Sequence, residues 1–194
     1  MAGFDAAPPS KGGRFKGVVG VLLAALLALA LPLTAEAHGR KAVPSDPALL
    51  EQYRAGLSAY LKGDYASALE AWRPLAERET ESSAVQLFLG FMHAGGQGLA
   101  KDPAAAAAWY RRAAEQDNMV AQIRLGLLHR RGEGVAQDPV QAYLWASLAA
   151  RQESHVQKLA QALQEALAAE MTPAQVDEAK RLAGAWAETH SKAE

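Results

Sequence analysis

Two histidines recur at matching positions of the sequence and are the first candidates for chemistry. His93 and His129 each end the pattern Leu-Gly-x-x-His and lie 36 residues apart. A shared metal ion would need more ligands than these two, and the chain has no cysteine to supply them. We therefore expect each imidazole to pack partly buried and to donate to a backbone carbonyl. No metal and no cofactor are predicted.

Two Gly-x-Gly sequences follow the histidines, at Gly96-Gln97-Gly98 and Gly132-Glu133-Gly134. A phosphate-binding loop needs a strand before it and a Gly-Lys-Ser/Thr type of continuation after it. Here a helical pattern comes before each turn, and Asp-Pro follows four residues after the second glycine. The pattern is typical of turns between helices, where glycine reaches backbone angles that other residues avoid.

Catalytic motifs are missing from the sequence. It contains no Gly-x-Ser-x-Gly, no Ser-x-x-Lys and no His-Glu-x-x-His. Ser82, Ser83 and Ser154 lie where helices are predicted to begin, and capping explains them. The net charge of −1, with both signs mixed along the chain, gives no concentrated basic face for nucleic acid. We predict neither catalysis nor nucleic-acid binding.

The elements that carry these residues are repeated. Residues 86–116 return as residues 122–152, and 14 of the 34 positions in 85–118 are identical to those in 121–154. The identities include Leu-Gly, Gly-x-Gly, Asp-Pro and a tryptophan in one register, which alanine bias alone would not produce. This is a structural repeat with a period in the range of helical solenoids.

Each unit is predicted to be a helical hairpin. Asp46-Pro47, Asp102-Pro103 and Asp138-Pro139 each pair a capping carboxylate with a proline that has no N–H to leave unsatisfied. Glycine breaks the apolar helical pattern between the helices. One hairpin cannot bury its apolar stripe alone, so the units must stack. The predicted fold is all-α, with units at 46–80, 82–118 and 119–154.

The repeated pattern LG-x-x-H-x-x-G-x-G-[LV]-A-x-DP-x-x-A-x-x-W-x-x-x-AA resembles the Sel-one-like repeat, a longer-turned relative of the tetratricopeptide repeat. The hairpin at 49–80 resembles the plain tetratricopeptide form. His93 and His129 depart from the family, which more often has tyrosine there. The resemblance implies an α-solenoid of about three hairpins whose core includes small and aromatic residues at matching positions: Gly56, Trp72, Gly90, Trp109, Gly126 and Trp145.

The resemblance also implies a ligand-facing surface on the first helix of each unit. The family's ligand-facing positions fall on Tyr53, Leu57, Tyr60, Phe91, Leu127, Arg130 and Arg131. Aromatic rings with a nearby arginine pair suit peptide anchoring, because arginine binds carboxylates and aromatic rings bury large areas. A helical pattern cannot separate core from groove, so for the apolar positions both roles stay open.

The two ends of the chain differ from the repeats. Residues 1–37 have the charged, apolar and small-x-small regions of an export signal, with cleavage predicted after Ala37. An uncleaved membrane anchor is the alternative, although the apolar run of 16 residues is short for a span. Residues 38–45 are predicted to be a linker. Residues 155–194 are predicted to form capping helices and a tail, the last helix beginning at a capping box, Thr172-Pro173-Ala174-Gln175.

These features predict a non-enzymatic scaffold that binds a protein or peptide in the bacterial envelope, periplasmic or secreted, without membrane contact once the signal is cleaved. Two alternatives stay open. One is a cell-wall-active or β-lactam-type hydrolase, an activity suggested for cysteine-rich relatives. The other is a membrane-tethered assembly factor that retains its leader.

Overall fold

The computed structural model describes residues 43–76, 82–154 and 156–191, and all regular structure in these ranges is α-helical. The predicted signal segment, most of the predicted linker and the final residues lie outside the described residues. The helices follow one another as α1 (Pro47–Leu61), α2 (Tyr65–Ala76), α3 (Ser83–Gly95), α4 (Pro103–Glu115), α5 (Met119–Arg131), α6 (Pro139–Ala150), α7 (Gln157–Glu170) and α8 (Pro173–Ser191).

The predicted Asp-Pro helix starts are confirmed. Asp102 Oδ1 accepts hydrogen bonds from the backbone N–H groups of Ala104 and Ala105, at 3.0 and 2.9 Å. Asp46 and Asp138 cap α1 and α6 in the same way. The predicted capping box of α8 is also present. Each capping side chain satisfies N–H groups that a helix N-terminus leaves without a partner.

The capping box joins Thr172 and Gln175 in both directions. Gln175 Oε1 accepts from the backbone N–H of Thr172 at 2.9 Å, and Thr172 Oγ1 accepts from the backbone N–H of Gln175 at 3.3 Å. This local geometry fixes where α8 begins, directly after the end of α7.

The helices pair as predicted, α1 with α2, α3 with α4, and α5 with α6. Glycines allow the close approach within each pair. A Cβ added at Gly56 would lie 2.3 Å from Nε1 of Trp72, and one added at Gly90 would lie 2.3 Å from Cε1 of Tyr110. Trp72 is fully buried. Small residues on the first helix therefore face large rings on the second.

The Gly-x-Gly turns add contacts between units to those that the helices make. Gly98 and Gly134 have φ angles of +74° and +72°. A Cβ at Gly98 would lie 2.6 Å from Cβ of Tyr65, and one at Gly134 would lie 2.1 Å from the carbonyl oxygen of Pro103. Tyr65 and Pro103 are the first residues of α2 and α4. Each turn thus docks on the start of the second helix of the preceding unit.

The two repeated tryptophans are not equally buried, which corrects the prediction for Trp109. Tyr110 fills the space beside Gly90. Trp109 is only partly buried against the apolar cluster formed by α1, α2 and α3, with the guanidinium carbon of Arg112 4.9 Å from its ring centroid. The one-residue difference matters because neighbouring positions on a helix point about 100° apart.

Trp145, the second of the pair, is 2% exposed. Trp186 of α8 meets it edge to face, with ring centroids 5.1 Å apart. This contact comes from outside the repeats, and within the described residues Trp109 has no aromatic ring stacked on it or edge to face with it. The extra helix therefore completes the burial of the last unit's tryptophan.

The C-terminal helices cap the stack without forming a hairpin of their own. Both α7 and α8 pack along α6, and they make few contacts with each other. Ala160, Leu163 and Leu167 of α7 are buried and form its inward-facing stripe, whereas Leu159 is 58% exposed and lies outside that stripe. No helix in the described ranges is long and apolar enough to span a membrane.

Candidate binding surface

The predicted partner-binding residues lie on α1, α3 and α5, the first helices of the three units. One position recurs among them. Leu57, Phe91 and Leu127 each follow the buried glycine of their helix, and each is partly exposed. We call these three residues the apolar row. The structure brings them to equivalent places on successive units.

Tyr53 and Tyr60 are corrections to the predicted surface, because they lie in the core with 6% and 2% of their area exposed. The carbonyl oxygen of Tyr53 accepts from the indole N–H of Trp72 at 3.1 Å. The ring of Tyr60 lies 5.7 Å from the ring of Trp72, centroid to centroid. Burial raises the pKa of each phenol to about 12. The backbone of Tyr53 and the ring of Tyr60 both contact Trp72 of α2, so both residues help to hold the hairpin together.

Gln97, in the turn after α3, joins the second unit to the first. The Tyr60 hydroxyl donates to its Oε1 at 3.0 Å, and its Nε2 donates to the hydroxyl oxygen of Tyr65 at 3.2 Å. The buried phenol of Tyr60 therefore has a polar partner. A residue of the turn, predicted only as a connection, instead completes a core contact.

Arg130 and Arg131 stand at the end of α5, as predicted, and both have carboxylate partners. Arg130 makes a two-pronged ion pair with Glu170, whose Oε2 accepts from Nε at 3.2 Å while Oε1 accepts from the terminal nitrogen. Arg131 lies 3.8 Å from the carboxylate of Glu133, with 60% of its side chain exposed. Their role in binding a partner stays a prediction.

A third arginine, Arg124 on α5, lies beside the apolar row and was missed by the sequence analysis. Its guanidinium carbon is 5.1 Å from the ring centroid of Phe91. Burial raises the pKa of Tyr110, and the positive charge of Arg124 opposes that rise. A comparison of the two repeats could have singled out this arginine, because the matching position 36 residues earlier is an aromatic core residue, Phe88, which is 1% exposed.

The two recurring histidines differ in their partners. His129 is 6% exposed, and its Nδ1 lies 3.3 Å from the carbonyl oxygen of Ala136, the kind of contact that was predicted. Burial lowers the pKa of His129. The Nδ1 atom of His93 is buried without a hydrogen-bond partner in the described part of the chain. Within the same residues, no three His, Asp or Glu side chains gather as a metal site.

Comparison with known proteins agrees with this architecture. The Sel1 repeat family matches residues 83–118 and 120–154. A Sel1 repeat protein from Oxalobacter formigenes shares 35% sequence identity at a TM-score of 0.51, covering 59% of this chain and 86% of that one. No curated protein matches the chain.

A second solved structure is a protective antigen present in uropathogenic Escherichia coli strains that displays an SLR fold. It shares 28% identity at a TM-score of 0.65 and covers 72% of this chain, which spans 30% of that protein's length. The register of the repeats, the pairing of the helices and the sequence identity all support one family assignment. The chain belongs to the Sel1 repeat family.

Proposed function

We propose that this protein is a scaffold that binds a segment of another protein along the first helices of its units and catalyses no reaction. Sel1 repeat proteins generally serve as protein-interaction scaffolds, and the family is typically non-catalytic. The partner is a protein or peptide, and the contact is made by side chains presented at the repeat spacing.

The apolar row carries the proposal. Leu57, Phe91 and Leu127 occupy the same position in three successive units, and each keeps part of a large apolar side chain exposed. A solenoid presents such positions as an extended surface, which suits a chain segment better than a compact small molecule. Burying this row on a partner would remove apolar area from water and so favour binding.

Site-specific photo-crosslinking in the producing cell tests the proposal. A photoreactive phenylalanine derivative replaces Leu57 or Leu127, and matched variants carry it at Glu70 of α2 or Lys180 of α8, both exposed. We expect discrete protein adducts from the apolar row and none from the two control positions. Equal adducts from both sets, or none from the row, would remove this surface from the function.

We also propose that the protein is exported and works in the periplasm or outside the cell. The support is the leader pattern of residues 1–37, with a positive start, an apolar run and Ala35-Glu36-Ala37 at its end. The intact mass of protein purified from envelope fractions tests this. A chain that begins at His38 supports export with cleavage, and a full-length chain in the membrane fraction supports a tethered assembly factor instead.

A further inference from the structure

Arg124 stands apart from the other arginines of the described chain. Two arginines in those ranges are partly buried, Arg124 and Arg130. Arg130 has the carboxylate of Glu170. Arg124 has neither a carboxylate nor a hydrogen-bond acceptor among the described residues, and its guanidinium carbon lies 5.1 Å from the ring centroid of Phe91.

The groups around Arg124 do not supply the missing negative charge. The positive charge of Arg124 acts to lower the pKa of the phenols of Tyr60 and Tyr110. Burial raises the pKa of both phenols, so both are neutral at physiological pH. A guanidinium has five N–H donors, and a cation withdrawn from water without a counter-ion is costly. A ring face offsets only part of that cost.

The position of this unpaired charge is the second part of the argument. Phe91 belongs to the apolar row, so the guanidinium of Arg124 in the third unit lies next to partly exposed apolar surface of the second unit. An arginine that served only to join α3 and α5 would be expected to have a carboxylate or carbonyl partner there, as Arg130 has. The place is therefore suited to an acceptor brought by another molecule.

We propose that Arg124 and Phe91 form a binding site for a carboxylate next to an apolar group, which on a protein partner is an acidic residue with an apolar neighbour. This inference rests on the proposed scaffold function and names the partner's chemistry. The carboxylate accepts from the guanidinium, which favours planar, two-pronged pairing with such groups. The apolar neighbour packs on the exposed part of the row.

A small probe with both groups tests the site without knowledge of the partner. The full mature chain, labelled with ¹⁵N, is titrated at neutral pH with N-acetylphenylalanine, which carries a carboxylate, and separately with N-acetylphenylalaninamide, which is neutral. The Nε–H signal of Arg124 reports on binding where the arginine is present, and the backbone amide signals of α3 and α5 report on it in every variant. Arg124→Gln removes the charge, Arg124→Lys keeps the charge without the planar fork, and Arg111→Gln, at an exposed position of α4 outside the proposed binding surface, is the control.

We expect the acid to move the Arg124 signal with millimolar affinity and the amide to bind at least about tenfold more weakly. Arg124→Gln should lose the preference for the acid, Arg124→Lys should keep a reduced one, and Arg111→Gln should behave as the wild type. Equal affinity for acid and amide, or no shift of the Arg124 signal, would overturn the proposal. Concentration-dependent shifts without probe would also overturn it, by making a second copy of the chain the occupant.

This outcome is distinguishable from failure of the scaffold function. Crosslinking from Leu57 and Leu127 can be repeated in the Arg124→Gln variant. If adducts persist in Arg124→Gln and no variant loses the preference for the acid, the scaffold function still holds and the carboxylate site is ruled out. Circular dichroism melting confirms that each variant is folded before it is compared.

Discussion

The side-chain amide of Gln116 donates to Oε1 of Gln86 at 2.7 Å, joining the last residues of α4 to the first turn of α3. One repeat later, Gln152 donates to Oε1 of Gln122 at 3.0 Å. Gln122 is fully buried, and its own amide donates to the carbonyl oxygen of Ala114 at 3.2 Å. A glutamine pair with one buried member thus recurs with the period of the sequence and ties together the two ends of the second hairpin and of the third.

Replacing Gln122 with methionine should lower the free energy of unfolding by about 1–3 kcal/mol, because the carbonyl oxygen of Ala114 loses its buried donor and the amide of Gln152 loses one of its two acceptors. Methionine has a similar length, so little volume changes. Urea titration followed by circular dichroism measures the loss. Gln161→Met on the exposed face of α7 is the control and should leave stability nearly unchanged.

Gly134→Ala should destabilise the protein by more than about 2 kcal/mol, since a Cβ there meets left-handed backbone strain and the carbonyl of Pro103 together. Gly63 separates the two effects. Its φ is +80°, but a Cβ added to it meets nothing within 4 Å. Gly63→Ala should therefore cost only about 1 kcal/mol. Similar losses for the two variants would mean that the turn is not docked on α4.

The sequence was sufficient to predict features whose cause is local. The Asp-Pro caps, the glycine turns and the Thr172–Gln175 box depend on residues within a few positions of each other, and all have the predicted geometry. The helical pairing also followed from the repeat, because two copies with one spacing must stack in one way.

The sequence was insufficient where contacts come from distant segments. Whether Tyr60 faces the core or a partner depends on the position of α2, and the sequence pattern of α1 alone does not predict that position. The burial of Trp145 depends on Trp186, and the pairing of Arg130 depends on Glu170. Arg124 escaped notice because it replaces a core aromatic of the preceding unit rather than matching a known ligand position.

Acidification should weaken the third unit through His129. Burial lowers the pKa of this histidine in the folded protein, while Arg111 also lowers it and Asp138 and the Ala136 carbonyl oppose them. The unfolded chain, with an ordinary pKa of about 6.5, then binds a proton more readily than the folded one. The stability contributed by the neutral ring is fully present above the ordinary pKa of about 6.5. It is lost as the pH falls through the lower pKa that the ring has in the folded protein.

The measurement is the urea midpoint between pH 7.5 and 5 for the wild type and for His129→Gln. We expect the wild type to lose stability over this range faster than the variant, which lacks the titrating ring. Parallel curves for the two proteins would show that His129 is not responsible for the slope.

Truncation of the two repeated tryptophans should have unequal effects. Trp145→Ala should cost about 3–5 kcal/mol, because a buried ring leaves a cavity against α5 and α8. Trp109→Ala should cost about half as much, because part of that ring already faces solvent. Urea titrations of both variants give the comparison. Equal losses would contradict the difference in burial that Trp186 creates.

The ion pair between Arg130 and Glu170 should contribute modestly to stability despite its two-pronged geometry. The side chains are 36% and 54% exposed, so water and salt screen the attraction. A double-mutant cycle with Arg130→Gln and Glu170→Gln should give a coupling of at most about 1 kcal/mol, falling as salt is added.

Since the pair joins the last repeat to α7, the charge-swapped protein with Arg130→Glu and Glu170→Arg should recover the melting temperature that Arg130→Glu alone loses. Failure to recover would show that Arg130 stabilises the fold through other contacts. Arg131→Glu, whose partner Glu133 lies at 3.8 Å in the same turn, serves as the control and should change melting little.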